Sequence, residues 1–240
     1  MKLATLCIHS KAYQAKRNAQ LVSLKRHLPK WDHIVLNVTS PDVIATMRPE
    51  AVLQLFARGY DGVLFLGADV MFYDSPTFLE GLAPHHSAVV TPHILTPVPN
   101  DGLHPSMQDF LKSGQFNADF VYWRNCPQTV AFLQWQEAQH KVRCDASTFW
   151  DQGWLNFVSS FLSGTHVLRH PGYNTAYYNL HERPITYRND RWYVGDSAEL
   201  VAYHFTGWRD AHTISVHQNR QAFTPDLQRL YAEYAEALCK

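Results

Sequence analysis

VLFLGADVMFYDSP, Val63 to Pro76, is the stretch on which the fold turns. Val63-Leu64-Phe65-Leu66 is a run of strand formers with no polar member, which reads as a strand buried on both faces. The run stops on Gly67-Ala68-Asp69 and resumes with Val70-Met71-Phe72, before Ser75-Pro76 opens a helix. A strand buried on both faces needs helices above and below it, so strand and helix should alternate along the neighbouring sequence.

They do. Leu3 to Ile8 reads as a strand, Ala12 to Leu28 as a helix and Ile34 to Val38 as a second strand, one β-α-β unit. Pro49 takes the first position of a short helix ending near Gly59, which delivers the chain to Val63. Ser87 to Val90 is strand-like, and the proline-rich Thr91 to Pro105 reads as a long loop over a site. Phe116 to Trp123 is the next strand and Pro127 to Lys141 the next helix. Then the order changes: a helix from Trp150 to Phe161, a strand at His166 to Leu168, and short strands and turns as far as Phe205. Thr224-Pro225-Asp226 caps a closing helix whose Leu227, Leu230, Tyr231, Tyr234 and Leu238 share one face. Its polar face is not basic, so the stripe should dock on the domain and not on a membrane.

The expected class is α/β: a Rossmann-like, mainly parallel sheet with helices on both faces and a small antiparallel element, in one domain over residues 1–240. In such sheets ligands bind beyond the carboxyl ends of the strands, where Gly67-Ala68-Asp69 lies.

Composition narrows the function. With 240 residues and 46% hydrophobic content the chain can bury a full core. Lysine plus arginine and aspartate plus glutamate balance at 21 each, so no long-range field recruits nucleic acid or an anionic membrane, and partners must be recognised locally. Apolar runs are too short for a signal peptide or a membrane span, which predicts a cytoplasmic protein with at most peripheral membrane association. Cys7, Cys126, Cys144 and Cys239 form no C-x-x-C pair and read as reduced thiols. No GxGxxG or GxxxxGK[ST] follows a strand, so a bound diphosphate would need a metal in place of an anion-binding loop.

Four segments could carry chemistry. Asp69 ends a strand and reads as a metal ligand or as a turn aspartate. His204, in VAYHFTGW, ends another apolar strand and reads as a second ligand or as a core histidine; oxygen and imidazole donors suit Mn²⁺ or Mg²⁺ shared with phosphate oxygens. Asp151-Gln152 with Asn156, in FWDQGWLNFV, opens a helix that it could simply cap. In Phe116-Asn117-Ala118-Asp119-Phe120, small and polar residues interrupt a strand as they do where a ligand approaches. His85-His86 and His217 carry no ligand spacing and read as surface residues.

In this order, these segments resemble the retaining GT-A glycosyltransferases of the glycogenin and lipooligosaccharide galactosyltransferase type, closest to bacterial surface-polysaccharide transferases. That pattern runs Leu-Asp-x-Asp, Phe-Asn-(Ala/Ser)-Gly, Asp-Gln-x-x-Leu-Asn and His-Phe-x-Gly, matched here at Leu66 to Asp69, Phe116 to Asp119, Asp151 to Asn156 and His204 to Gly207. Ala45 to Pro49 matches a Thr-x-(Lys/Arg) element, and HPGYNTAYYNLHER, His170 to Arg183, a further stretch.

The resemblance implies a hexosyltransferase that uses a nucleotide sugar, UDP-linked, and a carbohydrate or glycolipid acceptor of a bacterial surface glycan. Residues 1–125 would form the donor half and 126–240 the acceptor half with the closing helix. It implies Asp69 and His204 as ligands of Mn²⁺ or Mg²⁺, with Arg48 facing the diphosphate or ribose. Gly67, Ala68, Asp69, Asn117, Ala118, Asp119 and Gly207 would border the donor. Asp151 and Gln152 would lie under the anomeric carbon, and Tyr173, Asn174 and Trp208 would meet the acceptor. Three positions depart from the pattern: Gly67 stands where the first strand aspartate is usual, Asp119 where glycine is usual, and Trp208-Arg209-Asp210 where Lys-Pro-Trp often follows. On this reading, Gly67→Asp should strengthen donor binding or leave it unchanged. Two other readings are a non-catalytic sugar- or nucleotide-binding module of the same fold and a nucleotidyltransferase; Cys7 to Lys11 lacks the glycine- and arginine-rich loop the latter needs.

Overall fold

A computed structural model describes residues 1–40 and 42–240. Its centre is a six-stranded sheet in the order β2-β1-β3-β6-β5-β7. The strands are β1 (Leu3–Ser10), β2 (Asp32–Val38), β3 (Gly62–Leu66), β5 (Ala88–Pro92), β6 (Phe116–Arg124) and β7 (Thr165–Val167), with β4 (Val70–Phe72) lying outside this sheet. Pairing is parallel except at β6, which runs antiparallel to both β3 and β5. The sheet is therefore mainly parallel, as the alternating sequence predicts.

All five residues of β3 are buried, and alternation sends them to two cores. Val63 and Phe65 pack with α2 (Asp42–Ala57), α5 (Pro127–Val142), α6 (Asp151–Leu155) and α7 (Val158–Phe161); Leu64 and Leu66 pack with α1 (Gln14–His27), β4 and α3 (Thr77–Leu82). At Gly67–Asp69 the chain turns, Val70 N donating to Gly67 O, and leaves the main sheet. β4 then pairs with β12 (Ala202–His204), which also pairs with β8 (Thr175–Ala176). A further antiparallel sheet joins β9 (Ile185–Arg188), β10 (Arg191–Val194) and β11 (Ala198–Glu199). The closing helix α8 (Pro225–Leu238) docks as its stripe predicts: Leu227, Leu230, Tyr231 and Tyr234 are buried, and Tyr234 stacks on Phe205 at 3.8 Å.

Three elements differ from the sequence reading. α2 begins at Asp42, and Pro49 lies inside it. Proline removes the N–H that would bond the Ala45 carbonyl, a cost of ~3 kcal/mol, which burial of Ala51, Val52, Leu55 and Phe56 against the sheet offsets. The expected helix Trp150–Phe161 is two short helices, α6 and α7, and Trp150 precedes them at φ 52°. The expected Thr91–Pro105 loop loses Thr91 and Pro92 to β5; the remainder is irregular and leads to α4 (Met107–Ser113), which starts at the capping box Ser106/Asp109. No described helix is long and apolar enough to cross a membrane.

Burial holds the His93 and His140 imidazoles at about 4, below their usual 6.5. Both stay neutral in the fold, while the unfolded chain protonates them. Stability should therefore fall as pH drops from about 6.5 towards 4, by up to ~3 kcal/mol for each. Urea midpoints measured between pH 7 and 4 check this, and His140→Gln should flatten the profile.

Candidate active site

Because β6 is antiparallel, its first residues lie at the carboxyl ends of β1 and β3, so Asn117-Ala118-Asp119 meets Gly67-Ala68-Asp69 there. Gly67 N donates to Asp119 O at 2.9 Å. A cavity of about 660 Å³ opens over this edge, lined by Ile8 and His9 of β1, Tyr13 of the 3-10 turn that follows, Lys16 of α1, and Ile44, Ala45 and Arg48 of α2. Asp69, Asp119, Asp151, Gln152, Gly207, Trp208 and Arg209 complete much of its wall.

Backbone pairing assembles the first cluster. β12 lies beside β4 with His204 opposite Val70, and Phe205 N donates to Asp69 O at 2.8 Å. His204 Nε2 consequently faces Asp69 Oδ1 at 3.1 Å and Asp119 Oδ2 at 3.7 Å. Lys16 Nζ lies 3.3 Å from Asp69 Oδ2, and the Gln20 amide donates to the Gly67 carbonyl. Burial alone would raise the Asp69 pKa, but His204, and then Lys16, outweigh it and hold the carboxyl well below the usual range. Burial likewise disfavours the His204 imidazolium, and Asp69 overcomes this to raise its pKa.

Arg48 assembles the second cluster. Its Nη1 donates to Asp151 Oδ2 at 2.8 Å and its Nη2 to Asp119 Oδ1 at 2.6 Å, while the guanidinium lies 4.4 Å from the Phe65 ring centroid. With only 17% of the side chain exposed, Arg48 ties α2, β6 and α6 together and compensates two carboxylates. Sequence reasoning aimed it at a diphosphate; here both terminal nitrogens are occupied by carboxylates. Burial raises the Asp151 pKa, and Arg48 opposes that rise.

Other expected residues are placed differently. Gln152 lines the cavity, but its Oε1 accepts from Ala118 N at 3.0 Å and its Nε2 donates to Ser113 O at 2.8 Å, so its amide docks α6 on β6 instead of reaching outwards. Asn117 is buried within β6, accepting from Asp119 N at 3.0 Å, and does not line the cavity. Gly207 sits at φ 68°, where a Cβ would lie 2.3 Å from Ser215 Oγ, so both conformation and space require glycine. Trp208 lines the cavity. Tyr173 and Asn174 do not: both are fully buried, Tyr173 Oη accepting from Leu79 N at 3.2 Å and Asn174 Nδ2 donating to Thr91 Oγ1 at 3.0 Å. They brace β8 and cannot touch an acceptor from there.

Sequence reasoning missed His9, Tyr13, Lys16, Phe149 and Trp150, and it left His217 as a surface residue; His217 is exposed, but on the cavity wall. The missed signal for Lys16 is topological, since the first turns of a helix following a parallel strand overhang the strand's carboxyl end.

His204 Nε2 is buried without an aligned hydrogen bond, beside two carboxylates. That donor set suits a hard divalent cation. No group of three or more His, Cys, Asp or Glu side chains among the described residues is arranged to hold one alone, so Asp69 and His204 would need ligands from a bound substrate.

The whole-chain geometry matches a crystal structure of a glycosyltransferase involved in glycosylation of the major capsid of PBCV-1, with TM-score 0.61, 12% identity, and coverage of 99% of this chain and 98% of that one. It also matches the galactosyltransferase LgtC solved with donor and acceptor sugar analogues, with TM-score 0.52, 16% identity, and coverage of 99% and 96%. The chain has the GT-A glycosyltransferase fold. No protein-family model matches it. Among curated sequences it is 24% identical over 230 residues to the uncharacterized protein YfnD of Bacillus subtilis (strain 168), covering 86% of this chain and 68% of YfnD. In this GT-A fold the ordered segments of the sequence, dispersed over residues 45–208, meet at one sheet edge.

The exchange at Gly67 and Asp119 is physical. A Cβ built on Gly67 would lie 2.7 Å from Asp119 Cγ, so the Asp119 carboxylate fills the space that a side chain at 67 would need. Gly67→Asp alone should therefore lower the melting temperature, and adding Asp119→Gly should restore it. Arg48→Met should cost about 3 kcal/mol in chemical denaturation, because it leaves buried Asp151 without its ion-pair partner and Asp119 with only His204, 3.7 Å away; Arg48→Lys should recover part of the loss.

Proposed function

We propose that the chain transfers a hexosyl unit from a nucleotide sugar, UDP-linked, to a carbohydrate acceptor of a bacterial surface glycan, with retention at the anomeric carbon. The observation that carries this reading is the convergence of Asp69, Asp119, Arg48 and Asp151 on one cavity beyond the carboxyl ends of the strands, with His204 buried directly behind Asp69, within a GT-A fold.

In the reaction, the bond from the sugar's anomeric carbon to the diphosphate oxygen breaks, and its electron pair leaves with the nucleoside diphosphate. The acceptor hydroxyl oxygen bonds to the anomeric carbon, and its proton passes to the departing phosphate. Asp69 and His204 would hold Mn²⁺ or Mg²⁺, which when bound offsets charge on the diphosphate. Lys16, 3.3 Å from Asp69 Oδ2 and on the cavity wall, would supply a second positive charge to the diphosphate. Asp151, ionised against Arg48, favours positive charge developing at the anomeric carbon. Gln152 acts through the backbone, holding α6 and hence Asp151 against β6. The filled space at Gly67 argues against the non-catalytic reading, because the carboxylate missing from one strand is supplied by its neighbour.

A thermal-shift panel of UDP-, GDP-, CMP- and dTDP-sugars with and without Mn²⁺ tests this. A donor at about 100 times its Kd should add ~2.7 kcal/mol, or roughly 5 to 10 °C in a chain of this size, and should be hydrolysed slowly. Asp69→Ala should abolish the Mn²⁺-dependent shift. No shift and no hydrolysis with any donor would sink the proposal.

A further inference from the structure

Phe149 and Trp150 are anomalous for the fold they sit in. Both adopt positive φ, 50° and 52°, in a region that L side chains avoid and that bulky ones occupy only under constraint. Both rings are also exposed, at 38% and 41%, and both line the large cavity immediately before Asp151.

The constraint is local. Trp150 N donates to Asp145 O at 2.8 Å, Thr148 Oγ1 donates to Trp150 O at 3.0 Å, and Asp145 Oδ1 caps the turn by accepting from Ser147 N at 2.8 Å. Gly153 closes it from the other side, since a Cβ there would lie 2.0 Å from Thr148 O. Residues 145–153 thus form a tied loop that holds two aromatic side chains in place before any ligand arrives. Asn-Gly would make the same turn without strain and without exposing apolar surface. A sequence that accepts both costs at a cavity mouth is one in which something flat and partly apolar covers the rings.

The rest of the cavity specifies what that is. Its wall offers Lys16, Asp69, Asp119 and Asp151, partners for hydroxyls and phosphates. A pyranose ring presents an apolar C–H face to an aromatic plane and hydroxyl edges to such groups. Along the sheet order, Ile8, His9 and Tyr13 belong to the β1 end of the cavity, whereas the tied loop runs into α6, which packs on β6. The β1 end is thereby left to the nucleoside and the aromatic lip to the other substrate. The two rings pack edge to face, with centroids 5.9 Å apart and planes at 76°, so together they make a corner and not a flat surface. Resting on the transferase reading above, we infer that Phe149 and Trp150 form a preorganised aromatic corner, in which the acceptor's hexose ring stacks on the Trp150 face and is flanked by Phe149, one residue from Asp151.

Saturation-transfer NMR with methyl glucopyranosides, galactopyranosides and mannopyranosides, without donor, tests the corner directly. At least one ring should be saturated by the wild type, at least fivefold less by Trp150→Ala and by Phe149→Ala, and nearly normally by Trp150→Phe. Trp150→Gly should lose sugar binding while its melting temperature stays the same or rises, because glycine relieves the strain. No saturation of any ring by the wild type, equal saturation by Trp150→Ala, or a clear drop in the melting temperature of Trp150→Gly would each overturn the inference, the last by making the tryptophan structural. Loss of the UDP-sugar thermal shift in Trp150→Ala as large as the loss of glycoside binding would place the ring on the donor and overturn the acceptor assignment. The two readings fail separately: a wild type that binds glycosides through this lip yet neither binds nor hydrolyses any nucleotide sugar defeats the transferase reading alone, and the converse defeats the lip alone.

Discussion

Three carboxylates at the mouth of an apolar sheet set the constraint that the rest of the site obeys. Asp69 lies just beyond β3, Asp119 near the start of β6 and Asp151 at the start of α6, and burial penalises the negative charges of Asp69 and Asp151. They persist because nitrogen donors from three different elements reach them: Lys16 from α1, His204 from β12 and Arg48 from α2. Each ion pair therefore also fastens a helix or strand to the sheet edge. The arrangement stabilises weakly in net terms, because Coulombic gain and desolvation nearly cancel, but breaking one partner is costly. Charge compensation and positional accuracy are the same interaction here.

The turn at Gly67–Asp69 makes this geometry possible. By leaving the main sheet after Leu66, the chain frees β4 to pair with β12, and that pairing carries His204 across more than a hundred residues of sequence to Asp69. Gly67 then acquires a definite reason. It is empty because Asp119, antiparallel to it on the neighbouring strand, projects into its space. A carboxylate of the site has in effect been carried from one strand to its partner, which two antiparallel strands permit because their facing side chains point into the same volume.

Strong local signals were legible in the sequence. The apolar run of β3, the β-α-β alternation and the stripe of α8 all have periods that report burial directly. Signals that depend on compensation were not. Pro49 reads as a helix start because a mid-helix proline is costly, yet packing of α2 on the sheet outweighs that cost. Trp150–Phe161 reads as one helix because nothing in the composition announces positive φ at Phe149 and Trp150; the tied loop that enforces it depends on Asp145 and Thr148. The helix α4, with its capping box Ser106/Asp109, follows the stretch Thr91–Pro105 read as loop and was not anticipated, although Ser-x-x-Asp is a local signal.

By itself, the sequence determined the class of fold and the ordered set of polar interruptions at strand ends, since hydrophobic period and chain order are one-dimensional properties. Only the tertiary structure decided which of those residues share a site. It brought Asp69, Asp119, His204, Arg48 and Asp151 together and admitted Lys16, which no motif marks. It withdrew Tyr173 and Asn174 into the interior and turned the amide of Gln152 to the backbone. The physical reason is that a side chain's availability depends on what packs around it and which hydrogen bonds it already makes, and those are set by strand register and layer order across distant parts of the chain.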